Sequence, residues 1–255
     1  MPNNNILTIE NLSKSFDGIQ AVNNCTFEIY DGSITGLIGP NGAGKTTVFN
    51  LITGFLTPDN GQIYFQKQKI DKTPTHKIFK KGLVRTFQIP RELKKMTVLE
   101  NLLVVPKDQI GEHIWSPLIS SRKINEQEEI NIKKAKDVLD FIRLDHLTNE
   151  YAGNLSTGQK KLLELARTLM SDPNLVLLDE PVAGVNPTLV NDLMDNIKRS
   201  NDELGITFLI IEHNMNFIMN LCNPILVLSN GTKIAEGTSE EIRSDQTVID
   251  AYLGG

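Results

Sequence analysis

The chain is 255 residues long, 40% hydrophobic and 22% charged, a balance that excludes disordered and fibrous classes and allows one large domain or two small ones. Its formal net charge of −5 argues against a partner held by bulk positive charge, nucleic acid above all. Two distant cysteines, Cys25 and Cys222, lack the spacing of a disulfide framework or a zinc site, and no apolar run approaches the roughly 20 residues of a membrane-crossing helix.

The opening segment, MPNNNILTIE, has neither a basic nor an apolar leader region, so a cytoplasmic protein is expected, reaching a membrane only through a partner. Strands are predicted over Ile6 to Leu12, then over Val22 to Ile29, where Cys25 alternates with Phe27 and Ile29 as core filling. A third strand, Ile34 to Ile38, runs directly into GPNGAGKTT, residues Gly39 to Thr47, and a helical segment follows to Gly54.

That loop fits G-x-x-x-x-G-K-[ST] in the context the motif requires, between an apolar strand and a helix. Its glycines let the backbone curl so that successive N–H groups point at phosphate oxygens. The helix N-terminus adds partial positive charge. Gly39, Pro40, Asn41, Gly42, Ala43, Gly44, Lys45, Thr46 and Thr47 therefore form a candidate ATP cradle. Lys45 is expected to reach the β- and γ-phosphates and the Thr46 hydroxyl to ligate Mg²⁺.

Further strands are predicted at Ile63 to Phe65 and Leu83 to Phe87. Between them Thr73 to Lys81 reads as a short helix, with Thr73 as its cap, Pro74 in its first turn and Gly82 as its stop. From Glu100 to about Leu169 the pattern becomes helical and richly charged. Asn125 and Glu128 resemble a capping box there, ahead of Ile132, Ala135, Val138, Leu139 and Ile142 at helical spacing.

Leu175 to Leu178 is a short, wholly apolar strand ending in Asp179 and Glu180, the pattern of a central parallel strand. A carboxylate pair in such a place is by itself usually a solvated strand end. With the phosphate loop upstream, Asp179 becomes a candidate Mg²⁺ carboxylate and Glu180 a candidate general base. A helix at Pro187 to Leu204, a strand at Phe208 to Ile211 and a hairpin turning at Asn230-Gly231 complete an α/β core with a β-rich start and an inserted helical portion.

At Leu155 to Gln159, LSTGQ, the chain resembles the ABC-transporter ATPase family, whose signature motif stands shortly before the strand that carries the carboxylates. The resemblance covers Leu7 to about Leu253. It implies a P-loop NTPase (ABC ATPase) core with an antiparallel β subdomain and an inserted helical subdomain at about 89–165, within one nucleotide-binding domain spanning 1–255. It also implies that Phe16 stacks on adenine, that Gln88 is the glutamine of the Q-loop, and that His213 is the switch histidine. Ala183 to Asn186 match the D-loop. Catalysis would then rest on Glu180, His213, Lys45 and Gln88, with Thr46, Gln88 and Asp179 around Mg²⁺.

In this family two ATPase subunits pair head to tail, so Ser156, Gly158 and Gln159 of one chain meet ATP held by the loop of the other. Two departures stand out: Thr157 replaces the commoner glycine, and Asn186 replaces the commoner aspartate. Asn keeps an acceptor and loses the charge. The strings Val84 to Gln88, Met96 to Asn101, Ile211 to His213 and Ala251 to Gly254 are similar to the ATPases of branched-chain amino-acid importers, in particular the longer of their two ATPases, with an extended stretch at Pro106 to Lys134. Such a resemblance implies a second ATPase subunit (a copy or a paralogue), transmembrane permease subunits, an extracytoplasmic solute-binding protein acting indirectly, and residence on the inner face of the cell membrane. A related urea importer, a lipopolysaccharide exporter or a soluble non-transport ATPase remain alternatives. Gln88 to Glu92 are the better candidates for the surface facing a permease; Trp115 reads either as part of that surface or, more simply, as an anchor of the extended stretch onto the helical portion.

Overall fold

The structure is a computed structural model that describes residues 4–86, 92–106 and 121–253. The chain divides into two compact units, one comprising Met1–Gln88, Asn174–Pro181 and Ile197–Gly255, the other Ile89–Pro173 and Val182–Asn196.

The first unit holds two sheets. One is antiparallel and four-stranded, in the order β2 (Ile19–Tyr30), β1 (Asn5–Phe16), β4 (Asn60–Phe65), β5 (Gln68–Lys69). The other has six strands in the order β10 (Thr232–Gly237), β9 (Ile225–Ser229), β3 (Ile34–Ile38), β8 (Thr207–Ile211), β7 (Leu175–Asp179), β6 (Leu83–Arg85). All of it is parallel except β10, which turns back on β9. Every residue of β3, β7 and β8 is buried. Their apolar runs are explained by cover on both faces, and only the polar strand ends reach a solvated edge.

Helix α1 (Lys45–Ile52) sits between the sheets, its Val48, Phe49, Leu51 and Ile52 merging into one core with Ile9, Phe27, Ile63, Leu177 and Leu209. Cys25 is fully buried in that core, and burial pushes its thiol up to about 11, consistent with packing rather than reactivity. The β9–β10 turn has Asn230 and Gly231 at φ 47° and 75°, the type I′ geometry that their sequence predicts. Its tip is pinned to the phosphate loop: the Gly231 N–H donates to Ala43 O, and the Asn23 N–H of β2 donates to Gly231 O.

The short helix α2 is confined to Thr75–Lys80, with Pro74 at its N-cap in an extended conformation and no side-chain cap. The expectation of Thr73 as cap is thus corrected: its N–H closes a turn onto Ile70 O, and the residue before a proline is driven out of the helical region. After β8 come α7 (Met215–Leu221), and after β10 α8 (Ser239–Ser244) and α9 (Gln246–Leu253).

The second unit is helical. Helices α3 (Val98–Leu103), α4 (Ser121–Phe141) and α5 (Thr157–Met170) pack around Leu102, Ala135, Leu139, Leu162 and Ala166, joined by the first half of α6 (Pro187–Leu204). Asn101 is fully buried and splices the turn before α3, donating to Leu93 O and Thr97 O and accepting from the Leu93 N–H. Asn125 is not a cap, because α4 already begins at Ser121. A capping residue contributes only about 1 kcal/mol, too little to stop a helix that gains by one more turn. Trp115 lies outside the described residues.

Candidate functional site

Three neighbouring parallel strands end on one edge of the six-stranded sheet, and each releases a polar segment there. The phosphate loop follows β3, Glu180 follows β7 and His213 follows β8. Ligands of open α/β sheets bind at this carboxyl edge, since adjacent parallel strands deliver their successors to one place.

The loop is wedged rather than loosely draped. Gly44 adopts φ 95° at the start of α1, and a Cβ added there would meet Ala21 O at 2.3 Å, so only glycine fits between the helix and β2. No side chain caps α1. Its first N–H groups therefore open onto the site as orphan donors, the arrangement that receives anions. Lys45 is buried, and its Nζ donates to Gly39 O at 2.8 Å and Pro40 O at 3.0 Å, holding the curl of the loop closed. Burial lowers its pKa from the usual ammonium value, opposed by the charges of Glu180 and Asp179. The Thr46 side chain is exposed.

Asp179 is buried at the end of β7, and Arg85 Nη2 bonds its Oδ2 at 2.7 Å. The next residue breaks the strand: Glu180 takes a left-handed conformation, φ 48°, while its N–H donates to Ile211 O at 2.9 Å. A non-glycine residue in that region is strained, and such strain gathers at functional sites. Here it accompanies a carboxylate brought to face His213, with Glu180 Oε1 3.4 Å from His213 Nε2. The buried Glu212 anchors the histidine turn, its Oε2 accepting from the His213 and Asn214 N–H groups at 2.9 and 3.1 Å. Asn214 then caps α7.

Asn41 to Thr47, Glu180, Ile211, His213 and Ala21 line one cavity of about 380 Å³. Phosphate fits its inward N–H groups and lysine. Thr46 in that lining, and Asp179, which is buried beside Arg85 and not among the lining residues, carry hard oxygen donors of the kind that suit Mg²⁺. Phe16 ends β1, exposed and with Lys14 Nζ 5.7 Å from its ring centroid, and is not among the residues lining that cavity. Gln88 lies outside the described residues.

The signature residues belong to the second unit. Ser156 is the N-cap of α5: its Oγ accepts from the Gln159 N–H at 3.3 Å, while Gln159 Oε1 accepts from the Ser156 N–H at 2.9 Å. This reciprocal box fixes both side chains against the backbone. Gly158 is buried, and a Cβ there would stand 2.3 Å from Leu189 Cδ1 in the first turn of α6. Asn186 Oδ1 caps that helix by accepting from the Leu189 N–H at 3.0 Å. Asparagine and aspartate cap about equally well, so the substitution keeps the local fold. In the same unit Glu92, a candidate permease contact, pairs with Lys160 at 3.2 Å.

Sequence reasoning missed two residues of the site. Arg85 entered only as part of a family string, and its pairing with Asp179 spans 94 positions. The clue was a charged residue inside the segment predicted as a strand, Leu83 to Phe87. Glu212 left a similar one, a carboxylate directly after five buried residues.

Residues 22–183 match the family model of the ABC transporter, and residues 232–255 match that of the branched-chain amino acid ATP-binding cassette transporter. The probable branched-chain amino acid transport ATP-binding protein LivG of Archaeoglobus fulgidus is 46% identical over 98% of this chain and 95% of its own length. The high-affinity branched-chain amino acid transport ATP-binding protein LivG of Escherichia coli is 40% identical over 98% of each chain. Among solved structures, the ADP conformation of an ATP-binding cassette of an ABC transporter superposes with a TM-score of 0.84 at 39% identity, over 99% of this chain and all of that one.

Proposed function

The chain belongs to the ABC transporter family and is an ATPase of it, and from that premise we propose that it is the motor subunit of an importer of branched-chain amino acids. The observation that carries the reading is the meeting of Lys45, Glu180 and His213 at the ends of three parallel strands, in a chain 46% identical to a branched-chain amino acid transport ATP-binding protein. ATP lies with its phosphates against the loop N–H groups and the Lys45 ammonium. Thr46, Asp179 and Gln88 would hold Mg²⁺, which would supply charge neutralisation on the phosphate oxygens.

Glu180 accepts a proton from the water that attacks the γ-phosphorus, and the bond to the β-phosphate oxygen breaks to leave ADP and phosphate. His213, 3.4 Å from that carboxylate, orients it and contacts the transferring group. Phe16 supports the adenine. Ser156, Gly158 and Gln159 face the ATP held by a second subunit, a copy or a paralogue, so closure of the pair follows nucleotide state.

No helix among the described residues is long and apolar enough to cross a membrane. Kinship to transport ATP-binding proteins is what supports a peripheral subunit on the cytoplasmic face, coupled to permease partners and through them to a solute-binding protein. A second cavity, of about 640 Å³, supports this. It is lined mainly by apolar side chains, including Ile78, Phe79, Leu83 and Val84, with exposed Phe55 at its rim, the character of a protein-docking hollow. Affinity purification from native membranes tests the reading: a co-purifying permease is expected, and recovery of soluble partners alone overturns it.

A further inference from the structure

Arg85 joins two elements that the proposed reaction needs in register. Its Nη2 bonds Asp179 Oδ2 at 2.7 Å, its Nη1 bonds Asn50 Oδ1 at 2.6 Å, and its guanidinium lies 5.5 Å from the Phe49 ring centroid. Both side chains of the ion pair are more than nine-tenths buried. Asn50 stands four residues after Thr46 on α1, and residues so spaced share one helix face. The face that presents the Thr46 hydroxyl at its first turn is therefore held, one turn further on, by the arginine that also grips Asp179.

The strand side is fixed as well. Arg85 pairs with Leu177 in the β6–β7 ladder, the Thr86 N–H donates to Leu177 O at 2.9 Å, and the Asp179 N–H points to Thr86 Oγ1 at 3.4 Å. A planar fork stacked on an aromatic ring and bonded at both tips has few alternative poses, a property that lysine lacks.

The geometry points to Arg85 as a positioning residue that sets the distance and orientation between Thr46 and Asp179, so that one Mg²⁺ can be shared by both. Two electrostatic effects oppose each other here. The guanidinium's charge repels a cation from the carboxylate, while its fork bonds Oδ2 and fixes the carboxylate's orientation. Arg85→Lys separates them, because it keeps the charge and removes the fork. The inference rests on the reading of Asp179 as the metal carboxylate.

The test uses the whole subunit with ADP, which excludes turnover. Affinity for ADP is measured in EDTA, and Mg²⁺ is then titrated into the ADP complex by calorimetry, for the wild type, Arg85→Lys, Asn50→Ala and Asp179→Asn. Arg85→Lys is expected to raise the half-saturating Mg²⁺ concentration by roughly ten-fold or more, the usual scale for loss of a group that orients a metal ligand, and to leave metal-free ADP affinity unchanged. Asn50→Ala is expected to shift it in the same direction by less, and decides the matter if the arginine variant does not fold. An unmoved Mg²⁺ midpoint in Arg85→Lys and Asn50→Ala, with a shifted one in Asp179→Asn, overturns the positioning role alone. An unmoved midpoint in Asp179→Asn removes the metal reading of Asp179, and this inference with it.

Discussion

The nucleotide cavity and the start of α5 are both polar sites in one chain, yet they are built in opposite ways. Lys45 at the cavity, and Arg85, Asp179 and Glu212 around the strand ends that deliver its other residues, have buried side chains, and each is bonded within the first unit. At α5, Ser156 and Thr157 are exposed, and the local capping box is what orders them. Buried charge demands built-in partners, because an uncompensated one is costly. An exposed helix start with satisfied caps can wait for an external ligand. The contrast matches a site with one half finished by its own fold and the other half offered to a neighbour.

The strongest way to break the contrast is to disable the finished half while sparing binding. Glu180→Gln preserves the shape of the side chain and removes its basicity. Turnover is expected to fall by about 10² to 10⁴, the range for general base catalysis, with ATP affinity retained in equilibrium binding. Phosphate release at the wild-type rate sinks the assignment of Glu180 as base. The same variant sharpens the comparison: arrested with ATP, it is expected to run as a dimer in size-exclusion chromatography, and Ser156→Ala in the same background to weaken that dimer.

The next effect is structural. Gly158→Ala drives a methyl group toward Leu189 Cδ1, and overpacking of this kind costs about 1–3 kcal/mol. A lower midpoint in thermal unfolding is expected, recovered in part by the double change Gly158→Ala with Leu189→Ala. A single variant as stable as the wild type would mean that Gly158 is free of packing duty.

Much of the first site was legible because its signals are local. The apolar runs of β3, β7 and β8, the glycine loop and the Asn230-Gly231 turn each encode their geometry within a few residues. Legibility failed where tertiary context decides. Asp179-Glu180 reads as a strand end, but nothing local announces the left-handed turn at Glu180. The bond between Arg85 and Asp179 appears only once β6 pairs with β7. Thr73 and Asn125 had good capping chemistry, but a following proline displaced one and a longer helix absorbed the other. Likewise, no composition shift marks Val182 to Asn196 as belonging with the helical unit.

The smallest expected effect concerns Asn186, whose amide oxygen caps α6. Asn186→Asp keeps an acceptor of equal capping strength and adds a negative charge at a helix N-terminus, favourable by about 0.3–1 kcal/mol. Stability should therefore hold or rise slightly, whereas Asn186→Ala should cost about 1 kcal/mol in chemical unfolding. Any change in ATP turnover of the aspartate variant then has no source in a damaged fold. It must come from charge placed on an exposed segment beside the signature helix, which is where a partner's nucleotide would feel it. A turnover change present in dilute monomer and absent at dimer-forming concentrations would contradict that origin.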